Sequence, residues 1–195
     1  MPELTKRQEE IIDTAIRIID RKGIQGLTIK NLSKDIGVSE GAIYRHFENK
    51  REILVSILAY FQQRMREFHE SSQLTGKTTF WKINATLNHF RKLFEENPAI
   101  VSVIFAEEIF QNDDELSRKV GELIRENREL MLALIKEGKA NGELRSDLED
   151  QMIVSSILGP FRLIVKMWKM EDFSVSLENS LESLMDYLKS TIFIQ

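Results

Sequence analysis

Apolar residues recur at intervals of three and four along most of this chain, the spacing of helices that bury one face. In RQEEIIDTAIRIIDRKG, Ile12, Ala15, Ile16 and Ile19 share a face, and Gly23, behind Arg21 and Lys22, supplies a stop. A second helix is predicted from Thr28, a side chain suited to the N-cap, to Gly37, a residue suited to the left-handed turn that ends a helix. Leu32 and Ile36 form its inward face. Ser39 caps a third helix, which is short and points Ile43 and Phe47 inward. Asn49 caps a fourth, running from Lys50 to about Ser71 with Ile53, Leu54, Ile57, Leu58 and Phe61 on its apolar side. The Ser/Thr-rich stretch SSQLTGKTT breaks the pattern. Beyond it the spacing predicts a helix from Phe80 to about Glu96, another from Pro98 behind Asn97, a long one from about Asp114 to Lys139, and two more. KANGELRSDLED is a turn ending in Asp147. The last helix carries Leu177, Leu181, Leu184, Leu188 and Ile192 on one stripe. The expected fold class is all-α, with about nine helices and no strand.

The third helix is too short to be stable alone in water, yet it carries Tyr44, Arg45 and His46 close together. Two helices joined by a tight turn at Gly37, the second short and exposed, describe a helix-turn-helix, whose second helix enters the DNA major groove tip first. Small residues at the tip let the backbone approach, and Gly41 and Ala42 supply them. Ser39 offers a hydroxyl and free N–H groups at a helix N-terminus, which suit a phosphate. Tyr44 and Lys50 flank the groove within reach of the DNA backbone. Arg51 and Glu52 read as a solvated face.

Composition narrows the choice of function. The chain has 195 residues, 42% of them hydrophobic, with 3 prolines and 9 glycines. It has no cysteine, so disulfides and thiolate metal sites are excluded, which fits the cytoplasm. The N-terminal MPELTKRQEE is charged and is not expected to be a signal peptide. Net charge is −4, unlike a protein that coats nucleic acid. Residues 1–54 nevertheless hold ten Lys/Arg against nine Asp/Glu, whereas the remainder holds seventeen against twenty-two. The chain lacks a His-Glu-x-x-His motif and a Gly-rich phosphate loop, and His69 and His89 are isolated in sequence. No catalytic residue, metal or cofactor is therefore expected, and the chain is not read as an enzyme.

Gly26 to Leu54, GLTIKNLSKDIGVSEGAIYRHFENKREIL, resembles the DNA-binding domain of TetR-family transcriptional regulators. The resemblance rests on Thr28, Gly37, Val38, Ser39, Gly41, Tyr44, His46, Phe47 and Lys50 standing in register. Leu32-Ser33 replaces the Ile-Ala common in the family, a change conservative for packing. The resemblance implies that Thr28, Ser39, Tyr44, His46 and Lys50 touch phosphates. It implies that Lys30, Glu40, Gly41, Ala42 and Arg45 face base edges or lie beside them. Lys30 or Arg45 would suit guanine. Residues 1–54 are then the DNA-binding domain, with its linking helix continuing to about 71, and residues 72–195 are the ligand-binding and dimerisation domain that the family implies.

That second region is rich in aromatics and methionine. Phe90, Phe94, Phe105, Met131, Phe161 and Trp168 are candidates to line an apolar pocket between helices. Charges set among apolar residues are sharper pointers. Glu108, next to Glu107 in VIFAEEIF, would suit a cationic ligand, and Arg162 in ILGPFRLIV would suit a fatty acid or acyl thioester. The stretch MIVSSILGPFRLIVKMWKM is interrupted by Gly159-Pro160, Arg162 and Lys166, so a membrane span is not expected. Pro160 is expected to kink this helix and leave room for a ligand. Ile157 and Ile164 on it, with Leu177, Leu181, Leu184 and Leu188 on the last helix, are expected to form a four-helix bundle with a second copy. The expected protein is a homodimeric, ligand-responsive repressor of a palindromic double-stranded DNA operator, released by a small apolar or amphipathic effector. A DNA-bound scaffold that recruits a protein partner is the alternative.

Overall fold

The computed structural model describes residues 4–71, 74–105 and 113–194. Among them are nine helices and no strand: α1 (Lys6–Gly26), α2 (Ile29–Ile36), α3 (Glu40–Tyr44), α4 (Lys50–Glu70), α5 (Thr79–Glu96), α6 (Pro98–Ile104), α7 (Asp114–Ala140), α8 (Asp150–Met170) and α9 (Leu177–Thr191). The all-α expectation holds.

The helix ends follow local chemistry. Thr5 and Gln8 form a reciprocal capping box at the start of α1. Gly23 breaks α1 with φ 67° and ψ 176°, a conformation costly to other residues, and a last turn then resumes to Gly26. Gly37 ends α2 at φ 81°, and the N–H groups of Gly37 and Val38 both donate to the Ser33 carbonyl at 2.9 Å. Asn49 Oδ1 accepts from the Glu52 N–H at 3.0 Å, while the Glu52 carboxylate accepts from the Glu48 N–H at 2.6 Å. Glu52 therefore fixes the entry to α4 and is not simply a solvated charge. Arg51 likewise has a partner, the Glu115 carboxylate at 3.2 Å.

The chain divides into two compact units. One holds the described residues up to Gln63 and within Glu96–Gly121; the other holds Arg64–Glu95 and the described residues from Glu122 onward. In the first unit, α1 packs against both α2 and α6, and α2 packs against α3. Its core is Ile11, Ile12, Ile18, Ile19, Leu27, Leu32, Ile43 and Phe47, closed by Ile53, Leu54 and Ile57 of α4 and by Ala99, Ile100, Val101 and Val103 of α6.

In the second unit α8 packs on α9. Gly138 permits a close approach at the end of α7, since a Cβ there would lie 2.7 Å from Thr79 Cγ2 and 2.8 Å from Leu144 Cδ1. Beside it the Lys82 ammonium meets Glu137 at 2.5 Å, and Glu143 accepts the Thr79 N–H at 2.6 Å. Past α9 the chain makes a single antiparallel bridge, Phe193 with Leu144. Asp147 pairs with Arg145 at 2.7 Å, and Glu149 occupies the N-cap of α8. α8 continues through Pro160 as one helix.

Candidate nucleic-acid interface

The helix-turn-helix is built by burying one face and leaving the other in solvent. Leu32, Ile43 and Phe47 are fully buried and hold α2 and α3 against the rest of the first unit. Ser33 is buried too, and its hydroxyl donates to the Lys30 carbonyl at 3.0 Å, so the polar group in this core is satisfied. The Thr28 hydroxyl accepts from the Asn31 N–H at 3.1 Å, and the Ser39 hydroxyl accepts from the Ala42 N–H at 3.3 Å. Both hydroxyls are thus caps first; each remains exposed and keeps a proton to donate to a phosphate oxygen.

Opposite this core, Lys30, Glu40, Gly41, Tyr44 and Arg45 are exposed, while Ala42 and His46 are half-buried. Tyr44 stands out as a large side chain left 51% exposed beside a packed core. Gly41 is informative because nothing inside the chain requires it. A Cβ there would meet only Ser39 Oγ, at an ordinary 3.9 Å, and its φ is not positive. Glycine in a helix costs up to about 1 kcal/mol against alanine. A smooth tip bought at that cost suits a surface that something outside must approach closely.

The cations sort in the same way. Arg21 is bound to Asp35 and Arg51 to Glu115. Lys30, Lys34 and Arg45 have no side-chain ion partner among the described residues. All three lie on or directly after α2 and α3, which places unpaired positive charge on the helix-turn-helix. Lys34 was not singled out from sequence; its exposure on α2 beside Lys30 is what adds it. Lys50 differs from the sequence reading. Its ammonium donates to the Ile24 carbonyl at 2.6 Å, and burial holds it below the ordinary lysine pKa. It clamps the last turn of α1 to the first residue of α4, and of its three donors two remain for a phosphate.

Residues 11–57 match the family described as bacterial regulatory proteins, tetR family, and residues 61–190 match the YsiA-like protein, C-terminal region. The chain belongs to the TetR family. It is a ligand-responsive, DNA-binding transcriptional regulator. Similar to it is the fatty acid metabolism regulator protein of Bacillus subtilis (strain 168), 28% identical over 197 residues and matched over 98% of both chains. The transcriptional regulator FadR from Bacillus subtilis in complex with stearoyl-CoA has a similar structure, with a TM-score of 0.75 and 25% identity, over 92% of this chain and 96% of that one. The nucleoid occlusion factor SlmA of Actinobacillus pleuropneumoniae serotype 5b (strain L20) is 26% identical over 116 residues, covering 59% of this chain and 57% of its own.

In a TetR-family protein the remaining residues to locate are those for effector and partner. Phe90, Phe94 and Phe161 come together as one buried cluster, with ring centroids 5.9, 6.1 and 6.4 Å apart. Met131 and Trp168 are buried in the same unit, Trp168 edge-on to Phe173 at 4.6 Å, and Arg162 is half-buried. Phe105 is half-buried in the other unit. Glu107, Glu108 and Phe110 lie outside the described residues.

The expected dimer residues are placed differently. Ile157, Leu177, Leu181, Leu184 and Leu188 are buried within the single chain, where α8 packs on α9, and Ile164 is half-buried. The leucine stripe is used up as intrachain core and has no surface left for a partner. The exposed apolar residues of α8 form a separate stripe, Met152 (60% exposed), Leu163 (59%), Met167 and Met170 (68%), with Ser156 and Gly159 between them. At 100° per residue these six positions lie within a sector of about 80°. A Cβ on Gly159 would meet nothing within 4 Å, so the middle of the stripe is open. Tyr187 is exposed on α9. Among the described residues, no helix is long and apolar enough to cross a membrane.

Proposed function

We propose that this TetR-family protein is a homodimeric repressor of a palindromic operator, released by a long-chain acyl-CoA thioester. The observation that carries the DNA half is the outer face of α2 and α3: three cations without ion partners, an exposed tyrosine, and a glycine tip the fold itself does not need. Phosphates go to Thr28, Ser39, Tyr44, His46 and Lys50, and base edges to Lys30, Arg45 and the tip residues Glu40, Gly41 and Ala42. Residues 1–54 perform this task, and residues 72–195 hold the effector and the partner.

Two α3 helices must stand one helical turn apart, about 34–36 Å, to enter successive major grooves. The exposed stripe of α8 supports a second copy as the partner, because small residues in its middle let two helices approach. The effector class is supported by the fatty acid regulator matched over the full chain, by the stearoyl-CoA complex of a structural relative, and by the cluster of Phe90, Phe94 and Phe161. An effector that binds the operator-incompetent conformation better weakens DNA binding, and DNA weakens effector binding by the same factor. α4 is the lever, since it begins at Lys50 and runs on to Glu70.

The test is selection of genomic DNA fragments by the purified protein, followed by release with palmitoyl-CoA or palmitate. A few palindromic sites, released by the thioester and not by the free acid, are the expected result. The SlmA match favours a second reading, a DNA-bound scaffold. Many dispersed sites with no response to acyl-CoA would replace the repressor with it.

A further inference from the structure

A cleft of about 430 Å³ lies in the second unit, walled by Arg64, Glu67 and Phe68 of α4 and by Trp81, His89 and Lys92 of α5. It faces away from the Phe90–Phe94–Phe161 cluster: on α5, residues 81, 85, 88, 89 and 92 form one side, and Phe90 and Phe94 lie on another.

Two features separate it from an ordinary polar groove. The first is charge. Several cations of this unit are matched by carboxylates, Arg66 by Glu126 at 2.6 Å, Lys82 by Glu137 at 2.5 Å, Arg91 by Glu95 at 2.7 Å and Lys139 by Asp150 at 2.6 Å. Arg64 and Lys92, in the cleft, have no ion partner among the described residues, and Glu67 is the one acid lining it. The second is flat aromatic surface. Trp81 is 39% exposed, and the Lys77 ammonium lies 5.3 Å from its ring centroid. Phe68 also lines the cleft, stacked on His89 at 4.2 Å with an interplanar angle of 8°. Trp81 and Lys92 are eleven residues apart, about 16 Å along the helix, so the ring lies toward one end and the cation toward the other.

We propose that this cleft binds a phosphate-bearing purine, its ring stacked on Trp81 and its phosphates held by Arg64 and Lys92. Guanidinium and ammonium together match phosphate oxygens, and an exposed indole accepts any purine face. Two sources share this chemistry, a free adenine nucleotide and the nucleotide head of a coenzyme A thioester. The second rests on the effector reading above; the first does not.

Trp81 itself is the probe. In a Trp168→Phe variant it is the sole tryptophan, and ADP, coenzyme A and inorganic phosphate are titrated while its emission is followed. Calorimetry on the unaltered chain repeats the titrations independently of that substitution. Quenching by ADP and coenzyme A, with little from phosphate, is expected. Arg64→Ala with Lys92→Ala should weaken both nucleotides by roughly tenfold or more for each cation removed, and leave operator affinity unchanged. Quenching by coenzyme A with none by ADP assigns the site to the thioester's head; equal quenching assigns it to nucleotides in general. Absence of heat and quenching, or unaltered affinity in the double variant, overturns the proposal. If palmitoyl-CoA releases the operator equally from the parent and the double variant, the cleft does not hold the thioester's head, and the effector reading stands. If coenzyme A quenches Trp81 but palmitoyl-CoA releases no DNA, the effector reading fails and the cleft stands.

Discussion

Replacing Gly41 with alanine separates the needs of the fold from those of DNA. The added Cβ meets only Ser39 Oγ at 3.9 Å, and Gly41 sits in α3 without a positive φ. The substitution therefore creates no clash, and it removes the extra backbone entropy that glycine loses on folding. The gain in a helix interior is up to about 1 kcal/mol; near the start of a five-residue helix the lower end, about 0.5 kcal/mol, is expected. For a chain of this length that is a rise in Tm of about 1–2 °C. On DNA the sign reverses. On the proposed DNA face the methyl group would stand where backbone and base edges meet, and pushing them apart should cost about 1–3 kcal/mol, roughly a 5- to 150-fold loss of affinity. No charge has moved, so the dependence of log K on log salt keeps its slope. The assays are thermal unfolding and fluorescence anisotropy on a recovered operator fragment at several salt concentrations. Higher stability with unchanged affinity would mean that DNA does not approach the tip of α3. Lower stability would mean that glycine serves the fold after all.

Lys34→Ala should weaken binding to all sequences about equally, lower the salt slope by about one unit and leave stability within about 0.5 kcal/mol, as read by anisotropy and urea titration. Lys50→Ala should lower the slope similarly, and it should also destabilise by about 1–3 kcal/mol, because the Ile24 carbonyl loses its donor; an unchanged slope removes its phosphate role. Leu163→Glu, in the middle of the exposed α8 stripe, should yield a folded monomer by sedimentation with much weaker operator binding, and a dimer of unchanged affinity would refute that face. Burial, and secondarily the charge of His89, hold the His69 pKa below its ordinary value, so the folded chain binds fewer protons there than the unfolded one. Stability should therefore fall as pH drops below about 6.5, and His69→Asn should reduce that loss in urea titrations at pH 5 and 7.

What was legible in the sequence was whatever is decided within one helical turn. Thr28, Ser39 and Asn49 cap the helices expected of them because a cap and its N–H lie two or three residues apart. Gly23 and Gly37 sit at the expected breaks because a positive φ is a local demand. Period alone picked out Leu32, Ile43 and Phe47 as core. Interactions that close over distance were not visible. Lys50 reaches a carbonyl 26 residues back, and Arg51 pairs with a glutamate 64 residues on. α6, far along the chain, joins α1 in the first unit. The leucine stripe of α9 shows the limit of periodicity most clearly. Its spacing says that the face is buried and cannot say whether the covering helix belongs to the same chain. Here α8 of the same chain covers it, and the apolar side chains left exposed on α8 are Met152, Leu163, Met167 and Met170, the surface proposed for a partner.

That shift bears on how so small a reading head can be specific. α3 has five residues, and the segment around it offers Lys30, Lys34 and Arg45 as free cations, with Lys50 partly committed to Ile24. With only three or four cations to set against phosphates, a single copy would be a weak and salt-dependent binder. Joining two copies makes the second half-site encounter intramolecular, so contacts that are individually weak multiply. It also makes affinity depend on the distance between two α3 helices, a quantity no single copy possesses. An effector then need not touch the DNA face to release it. It needs only to prefer a conformation in which that distance is wrong, and the loss of one half-site returns the protein to the weak binding of a lone five-residue helix.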